Sequence, residues 1–191
     1  MKFIDKKTIE IDRELSELDK FTLNFIKILE KHVNYVLVSG YVSILLGRAR
    51  VSEDVDVIIQ KIDSSTFQAL YNELKKNNYY CLNAEKDSTI YEYLSDNLAV
   101  RFAKKDKIIP NVELKWVKHK FDKLALENTI DVKLSKGSLK ISHLELQIAF
   151  KQEVLKSPKD IDDADHIKEV AKEYLDNELI QKYKEMLRGF Y

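Results

Sequence analysis

Cysteine is nearly absent from this sequence, in which Cys81 is the only one among 191 residues. A single cysteine cannot form an internal disulfide or a zinc-binding cysteine cluster, which is typical of a protein in a reducing compartment. No apolar run is long enough to span a membrane, and the first twenty residues lack the basic start and apolar run of a secretory signal. We therefore expect a cytoplasmic protein with no membrane segment.

An excess of charge of either sign is also missing, because 32 Lys and Arg residues balance 32 Asp and Glu residues. The sequence therefore predicts no global positive field that would attract nucleic acid, although a local basic groove stays open. The four histidines are scattered, which does not favour a histidine metal site. Hydrophobic residues make up 45% of the chain, which favours a folded protein over a disordered one.

The segment covering residues 35–59 points to a reaction. Its first part, Tyr35 to Val38, is a short apolar run rich in β-branched residues and predicts a buried strand. Ser39 and Gly40 follow as a tight turn, and the apolar residues after them recur at helical spacing. A strand, a turn and a helix in this order leave unpaired amides at the helix start, a place that suits a phosphate.

Asp54 and Asp56 begin a second apolar run, which continues to Ile59. Because side chains alternate along a strand, both carboxylates point to one face while Val55 and Val57 point into the core. Adjacent carboxylates repel each other without a cation, and such oxygen ligands suit Mg²⁺ or Mn²⁺ holding a triphosphate. Alone, such a pair is more often a solvated turn, but the preceding Ser-Gly turn favours a metal site.

Together these residues resemble the nucleotidyltransferase superfamily typified by DNA polymerase beta. The signature of that superfamily is a hydrophobic strand, a Gly-Gly or Gly-Ser turn, a short helix, and then Asp, a hydrophobic residue and Asp or Glu. Here Ser39-Gly40 is followed by thirteen residues and then by Asp54-Val55-Asp56.

Two further stretches carry the resemblance. Residues 50–56, Arg-Val-Ser-Glu-Asp-Val-Asp, are similar to small prokaryotic members, including the nucleotidyltransferase toxins of abortive-infection systems, with serine in place of threonine. Residues 141–167 are similar to the helix, Lys-Asp-x-x-Asp and helix segment that follows the catalytic sheet in those relatives. The resemblance therefore brackets about residues 35–170.

The resemblance implies that a nucleoside triphosphate (NTP) such as ATP is held through Mg²⁺ or Mn²⁺ on Asp54 and Asp56. It also implies a third carboxylate on a neighbouring strand, which would complete the metal site or take the proton from the attacking hydroxyl. Glu113 is the best candidate. It alternates with the apolar residues Val112 and Leu114 in a predicted strand, and Pro110 limits this strand to an edge of the sheet or makes it a strand start. The implied nucleotide-binding residues are Ser39, Gly40, Arg50 and Lys151.

Simpler interpretations stay open for two of these residues. Arg50 is also interpretable as a surface charge after a helix. Lys151 is also interpretable as an exposed residue of a helix that Ser142 and Glu145 open as a capping box. The turn itself departs from the superfamily pattern, because serine precedes its only glycine.

The remaining pattern predicts an α+β fold, with a mixed β-sheet nucleotidyltransferase core flanked by helices and a C-terminal helical part. Two prolines and four glycines leave no evident linker. We therefore place the boundary where the pattern changes from strand to helix, giving an α+β catalytic domain with an N-terminal helix at 1–141 and a helical region at 142–191. Other predicted strands cover residues 79–82, 98–102 and 112–116 and a hairpin of 129–134 with 138–141, and Ser65 and Gln68 predict a helix cap.

Two functions follow from these residues. The first is a metal-dependent nucleotidyltransferase that transfers a nucleoside monophosphate from an NTP to a hydroxyl on a protein, an RNA or a small molecule; the neutral charge does not support a large RNA. The second is a catalytically degenerate binding or regulatory protein of a toxin-antitoxin type pair, which the altered turn would suit.

Overall fold

The computed structural model describes residues 1–190, whose nine strands form a single mixed sheet. The strands are β1 (Lys2–Asp5), β2 (Thr8–Glu10), β3 (Tyr35–Val38), β4 (Asp54–Ile59), β5 (Tyr79–Cys81), β6 (Val100–Lys104), β7 (Asn111–Trp116), β8 (Thr129–Leu134) and β9 (Gly137–Ser142). Their order across the sheet is β1-β2-β8-β9-β3-β4-β7-β6-β5. The predicted α+β fold with a mixed sheet is confirmed.

Eight α-helices and one π-helical segment of the described residues flank this sheet. They are α1 (Glu17–Leu29), α2 (Gly40–Leu45), α3 (Ser64–Lys76), α4 (Asp87–Ser95), α5 (Lys120–Glu127), α6 (Leu144–Phe150), the π-helical segment (Lys151–Leu155), α7 (Pro158–Val170) and α8 (Asn177–Arg188). Within residues 1–190, none of these helices combines the length and apolarity needed to cross a bilayer.

Both faces of the central strands are covered, and this explains their long apolar runs. Val55 and Val57 belong to the core that includes Phe25 of α1 and Phe67 of α3. Ile58 points to the other face, where the second core is built from the side chains of α5, α6 and α8. Burying one such aliphatic or aromatic side chain contributes about 1.5–3 kcal/mol, so the two cores fix β4 firmly between them.

The structure corrects several details of the sequence prediction. The strand expected at 98–102 instead covers Val100–Lys104, while α4, α5 and the hairpin of β1 and β2 were not predicted. β2 joins the sheet by pairing in parallel with β8. These short elements bury few side chains, so their apolar pattern is weak; in β1 and β2 only Ile9 is buried.

Both predicted helix caps are wrong. Asp63 caps α3, because its carboxylate accepts a hydrogen bond from the Thr66 N–H at 2.8 Å, and the Ser65 hydroxyl donates to the same carboxylate. His143 occupies the cap position of α6 without a side-chain hydrogen bond of the capping kind. Ser142 is the last residue of β9.

The C-terminal helices pack against one another and against the turn region of the sheet. α6 packs on α7 and α8, and α7 also packs on α2. The change from strand to helix falls at Ser142. The division into residues 1–141 and 142–191 stays a prediction, and its last residue, Tyr191, lies outside the described residues.

Candidate functional site

Three carboxylates lie on one face of two neighbouring parallel strands. In the register of β4 and β7, Asp54 is opposite Asn111 and Asp56 is opposite Glu113. Side chains at paired positions point to the same face of a sheet, and adjacent strands lie about 4.8 Å apart. The alternation of β4 and β7 therefore brings Asp54, Asp56 and Glu113 to a common surface, with Lys115 two residues further along β7.

Each carboxylate has its own hydrogen-bond partners. Glu113 accepts from the Arg101 guanidinium on β6, at 2.6 Å from Nη2 and 3.0 Å from Nε. Asp54 accepts from the Ser52 hydroxyl at 3.2 Å. Residues 1–190 contain no group of three or more His, Cys, Asp and Glu side chains placed to hold a metal ion. The three carboxylates thus share a face without converging on one point, and Arg101 competes with a cation for Glu113.

Asp56 is half-buried and lies close to other charged groups. Burial raises the pKa of its carboxyl above the ordinary value, and the negative charges of Glu113 and Asp54 raise it further. The positive charge of Lys115 and a hydrogen bond with Ser39 act in the opposite direction. An excess of carboxylate charge in a half-buried position is what a bound divalent cation relieves, so the donor set fits Mg²⁺ or Mn²⁺.

The Ser39 turn is strained. Its backbone has φ 64° and ψ −139°, a conformation that residues with a side chain rarely adopt. The Ser39 N–H donates to Gln147 Oε1 of α6 at 3.1 Å. Ser39 therefore has the backbone geometry of a glycine, the residue that the superfamily pattern has at this position. Its backbone N–H is bound by the side-chain amide of Gln147.

The Gly40 position is shaped by Arg50. A Cβ on residue 40 would lie 2.9 Å from Arg50 Nη2 and 3.1 Å from Nη1. Arg50 Nη1 in turn donates to Asp163 Oδ2 at 2.7 Å. The absent side chain of Gly40 thus makes room for a guanidinium that crosses from the loop before β4 to α7.

Asp163 is the centre of a buried ionic cluster. Its side chain is fully buried and contacts Lys151 Nζ at 2.8 Å, Arg50 and also Arg48. A second carboxylate, Asp160, lies 3.6 Å from Lys151 Nζ. Lys151 itself is buried, so its interpretation as an exposed helix residue is wrong. Arg50 is mostly covered rather than being a free surface charge.

The structure brings the predicted residues into two adjacent groups. Ser39, Asp56 and Lys151 line one cavity of about 190 Å³. Arg50 lies against Gly40, in the cluster around Asp163, to which Lys151 also belongs.

Sequence reasoning missed three partners of these residues. Arg101 alternates with core residues in β6, but nothing in the sequence pairs it with Glu113. Gln147 is flanked by the apolar residues Leu146 and Ile148 in α6, which signals a buried polar contact but not its target. Asp163 lies in the Lys-Asp-x-x-Asp stretch, which drew attention to the residue but not to its three cations.

Solved structures share this fold, and three of them are compared here with this chain. An antigenic nucleotidyltransferase-like protein from Paracoccidioides brasiliensis aligns over 88% of this chain and 85% of its own, with a TM-score of 0.52 and 14% identity. The lincomycin-bound lincosamide antibiotic adenylyltransferase LnuA aligns over 83% and 99%, with a TM-score of 0.52 and 13% identity. The antibiotic-resistance factor ANT(2'')-Ia aligns over 91% and 94%, with a TM-score of 0.56 and 15% identity.

A scan against models of protein families gave no match, and neither did a search of curated protein sequences. The structural similarity covers most of each chain, so the chain has the fold of the nucleotidyltransferases. The identities of 13–15% define the fold alone, and one fold supports many functions. The reaction must therefore be argued from the site.

Proposed function

We propose that this protein is a nucleotidyltransferase that moves a nucleoside monophosphate from an NTP to a hydroxyl acceptor. The observation that carries the proposal is the placement of Asp54, Asp56 and Glu113 on one face of β4 and β7, beside the Ser39 turn and a cavity. The shared fold with adenylyltransferases supports it and makes ATP the first NTP to test.

Each residue has a role in this proposal. Asp54 and Asp56 would hold the divalent cation, and Glu113, once released from Arg101, would either join them or take the proton of the attacking hydroxyl. A bound Mg²⁺ or Mn²⁺ would supply positive charge that offsets the charge of the triphosphate and of the departing pyrophosphate. The turn of Ser39 and Gly40 lies next to the phosphates. Arg50 and Lys151 supply positive charge from the cluster around Asp163.

The transfer itself needs one bond to form and one to break. The acceptor oxygen attacks the α-phosphorus and forms a new O–P bond, while the bond from the α-phosphorus to the bridging oxygen breaks. Pyrophosphate leaves with that electron pair. The hydroxyl proton passes to Glu113 and then to water.

A second function is favoured because the same residues already have partners within the protein. Gln147 binds the Ser39 amide, Arg101 binds Glu113, and Asp163 holds both Arg50 and Lys151. These contacts would suit a catalytically degenerate protein that regulates a partner in a toxin-antitoxin type pair. Such a protein would bind no NTP at the carboxylates.

The test is thermal stabilisation by each NTP with Mg²⁺ or Mn²⁺, since a ligand that binds only the folded state raises its stability. At one hundred times the dissociation constant the gain is about 2.7 kcal/mol. We expect metal-dependent stabilisation of the wild type and none for Asp54→Asn/Asp56→Asn. The matched control changes two exposed aspartates, Asp12→Asn/Asp96→Asn, and keeps the effect.

Turnover is followed by release of pyrophosphate and transfer of label from α-³²P NTPs. Metal-dependent stabilisation by an NTP together with turnover would support the proposed nucleotidyltransferase activity. Absence of any nucleotide effect in the wild type would reject the proposal and favour the regulatory function.

A further inference from the structure

Gln147 is a buried polar side chain of α6 with a partner at each end of its amide. Only 6% of its surface is exposed. Its Oε1 accepts a hydrogen bond from the Ser39 backbone N–H at 3.1 Å, and its Nε2 donates to the hydroxyl of the buried Ser142 at 2.9 Å. Burial of an amide without such bonds is costly. The two bonds therefore hold the side chain in one orientation, with its oxygen at the Ser39 turn.

The Ser39 turn lies directly beside Asp56. Val38, the residue before the turn, is paired with Asp56 in the register of β3 and β4, and the Ser39 hydroxyl forms a hydrogen bond with the Asp56 carboxylate. Ser39, Asp56 and Gln147 also line the same cavity. In the proposed function Asp54 and Asp56 hold the divalent cation, so the phosphates bound to this cation lie next to the Ser39 N–H. Backbone N–H groups of turns are suitable donors to phosphate oxygens.

The amide oxygen of Gln147 is an acceptor that a phosphate oxygen can replace. A backbone N–H makes one strong, nearly linear hydrogen bond, and that of Ser39 is already used by Gln147. The turn does not offer this N–H in another direction, because its backbone is fixed at φ 64° and ψ −139°. A triphosphate that binds the Ser39 N–H must therefore displace the oxygen of Gln147.

We propose that Gln147 is a positioning residue of the phosphate site, and that its amide oxygen occupies the place of a phosphate oxygen until the triphosphate displaces it. In the nucleotide-free protein Gln147 holds the strained turn in its observed geometry. The same contact weakens the binding of triphosphate by about the strength of one hydrogen bond. This inference rests on the proposed nucleotidyl transfer and assigns to Gln147 a part in it.

A purely structural role of the same contact makes a different prediction. In both roles, loss of the amide destabilises the nucleotide-free protein, because the Ser39 N–H and the Ser142 hydroxyl each lose a partner. Only competition with the triphosphate predicts that this loss also makes nucleotide binding tighter. The two roles are therefore separated by the affinity for nucleotide and not by stability.

Gln147→Met removes the competing oxygen and keeps a long, unbranched side chain. Binding of α,β-methylene ATP, which cannot transfer its nucleotide, is measured with Mg²⁺ on the full-length protein by isothermal titration calorimetry. We expect binding about fivefold tighter than in the wild type, the equivalent of one ordinary hydrogen bond. The matched control Gln181→Met, at an exposed position of α8, should leave the affinity unchanged. Equal or weaker binding in Gln147→Met would overturn the inference, and Gln147→Ala replaces this variant if it does not fold.

Gln147→Glu is expected to change the affinity in the opposite direction. A carboxylate accepts a hydrogen bond from the Ser39 N–H more strongly than an amide does, and its negative charge repels the triphosphate. We expect α,β-methylene ATP to bind at least tenfold more weakly than to the wild type, and Gln181→Glu to have no effect. A Gln147→Glu variant that binds the analogue as tightly as the wild type would contradict the competition.

Hydrogen exchange of the Ser39 amide, read by NMR, follows the contact itself. We expect slow exchange in the wild type, faster exchange in nucleotide-free Gln147→Met, and slow exchange again when this variant binds the analogue with Mg²⁺. Such a series would show one N–H passing from the amide oxygen to the nucleotide. If the Ser39 amide still exchanges fast in the nucleotide-bound variant, the phosphates do not use this N–H and the inference is overturned.

Failure of the proposed function gives a different result from failure of this inference. If the proposed function is wrong, the analogue binds neither the wild type nor Gln147→Met, although the Ser39 amide still exchanges faster in the variant. That outcome rejects both proposals. Binding to the wild type without a gain in Gln147→Met overturns this inference alone and leaves the proposed nucleotidyl transfer in place.

Discussion

The guanidinium of Arg50 lies against the Cα of Gly40, closer than a side chain on residue 40 would allow. Because Arg50 is also bound to the buried Asp163, the guanidinium cannot swing away without breaking an ion pair. The guanidinium of Arg50 therefore leaves no space for a side chain at Gly40, and the ion pair with Asp163 keeps Arg50 from moving aside.

Gly40→Ala is expected to lower the free energy of unfolding by about 1–2 kcal/mol, because the new Cβ displaces Arg50. The measurement is urea unfolding of Gly40→Ala, Arg50→Ala and the double variant. In the Arg50→Ala background, Gly40→Ala should lower the free energy of unfolding only slightly. The difference between the two backgrounds is the coupling energy of the double-mutant cycle. Gly189→Ala, whose Cβ would meet its nearest atom at 3.7 Å, is the control. An equal cost in both backgrounds would assign the effect to the backbone instead.

Ser39→Gly is expected to give a more stable protein than Ser39→Ala, by about 1–2 kcal/mol, because φ 64° with ψ −139° strains any residue with a Cβ. Both variants remove the hydroxyl that contacts Asp56, so their difference isolates the backbone. At Ser64, in the first turn of α3, alanine should equal or exceed glycine. The comparison uses chemical denaturation, and a more stable Ser39→Ala would show that the turn is not strained.

Asp163→Asn is expected to lower the free energy of unfolding by about 3–5 kcal/mol, because it removes the nearest carboxylate charge from buried Lys151 and from Arg50. Its neighbour Asp162 is 68% exposed and shares only Arg48, so Asp162→Asn should cost under about 1 kcal/mol. Both values come from equilibrium unfolding in urea. If Asp163→Asn does not fold, Arg50→Gln tests the same cluster with one ion pair removed. Equal small costs at 162 and 163 would contradict the buried cluster.

The pKa of Asp56 predicts the direction of a pH effect. The folded-state pKa is raised above 3.8, so the folded protein binds this proton up to a higher pH than the unfolded chain does. Stability from this group therefore falls as the pH rises from 3.8 through the folded-state value. At neutral pH the ionised Asp56 makes the folded state less stable.

Asp56→Asn is accordingly expected to raise the free energy of unfolding at pH 7, by an amount on the order of 1 kcal/mol. The gain should shrink steadily as the pH is lowered toward about 4. Unfolding of the variant and the wild type is measured across this range, with the exposed Asp12→Asn as control. A variant less stable than the wild type at pH 7 would contradict the electrostatic account.

The central part of the site was predictable because its signals are local. The apolar run of β3, the turn at Gly40 and the alternation around Asp54 and Asp56 all lie within a short stretch of chain. Their geometry follows from strand alternation and turn chemistry alone. The same reasoning placed Glu113 on the correct face of β7.

The rest of the site depends on contacts between residues that are far apart in the sequence. Lys151 has the spacing of an exposed helix residue, and its burial follows only from Asp163, twelve residues later, and from Arg50, about 100 residues earlier. The Ser39 amide is bound by Gln147, which lies on another helix. No local pattern specifies such pairs, because the residues meet only after the chain has folded.

The place of β9 in the sheet has a consequence for synthesis. β9 pairs on one side with β8, which directly precedes it, and on the other with β3, about 100 residues earlier. The N-terminal hairpin reaches the sheet only through β8. As the polypeptide leaves the ribosome, β3 must therefore wait with one unpaired edge until residues 137–142 emerge, and closure of so distant a contact is slow.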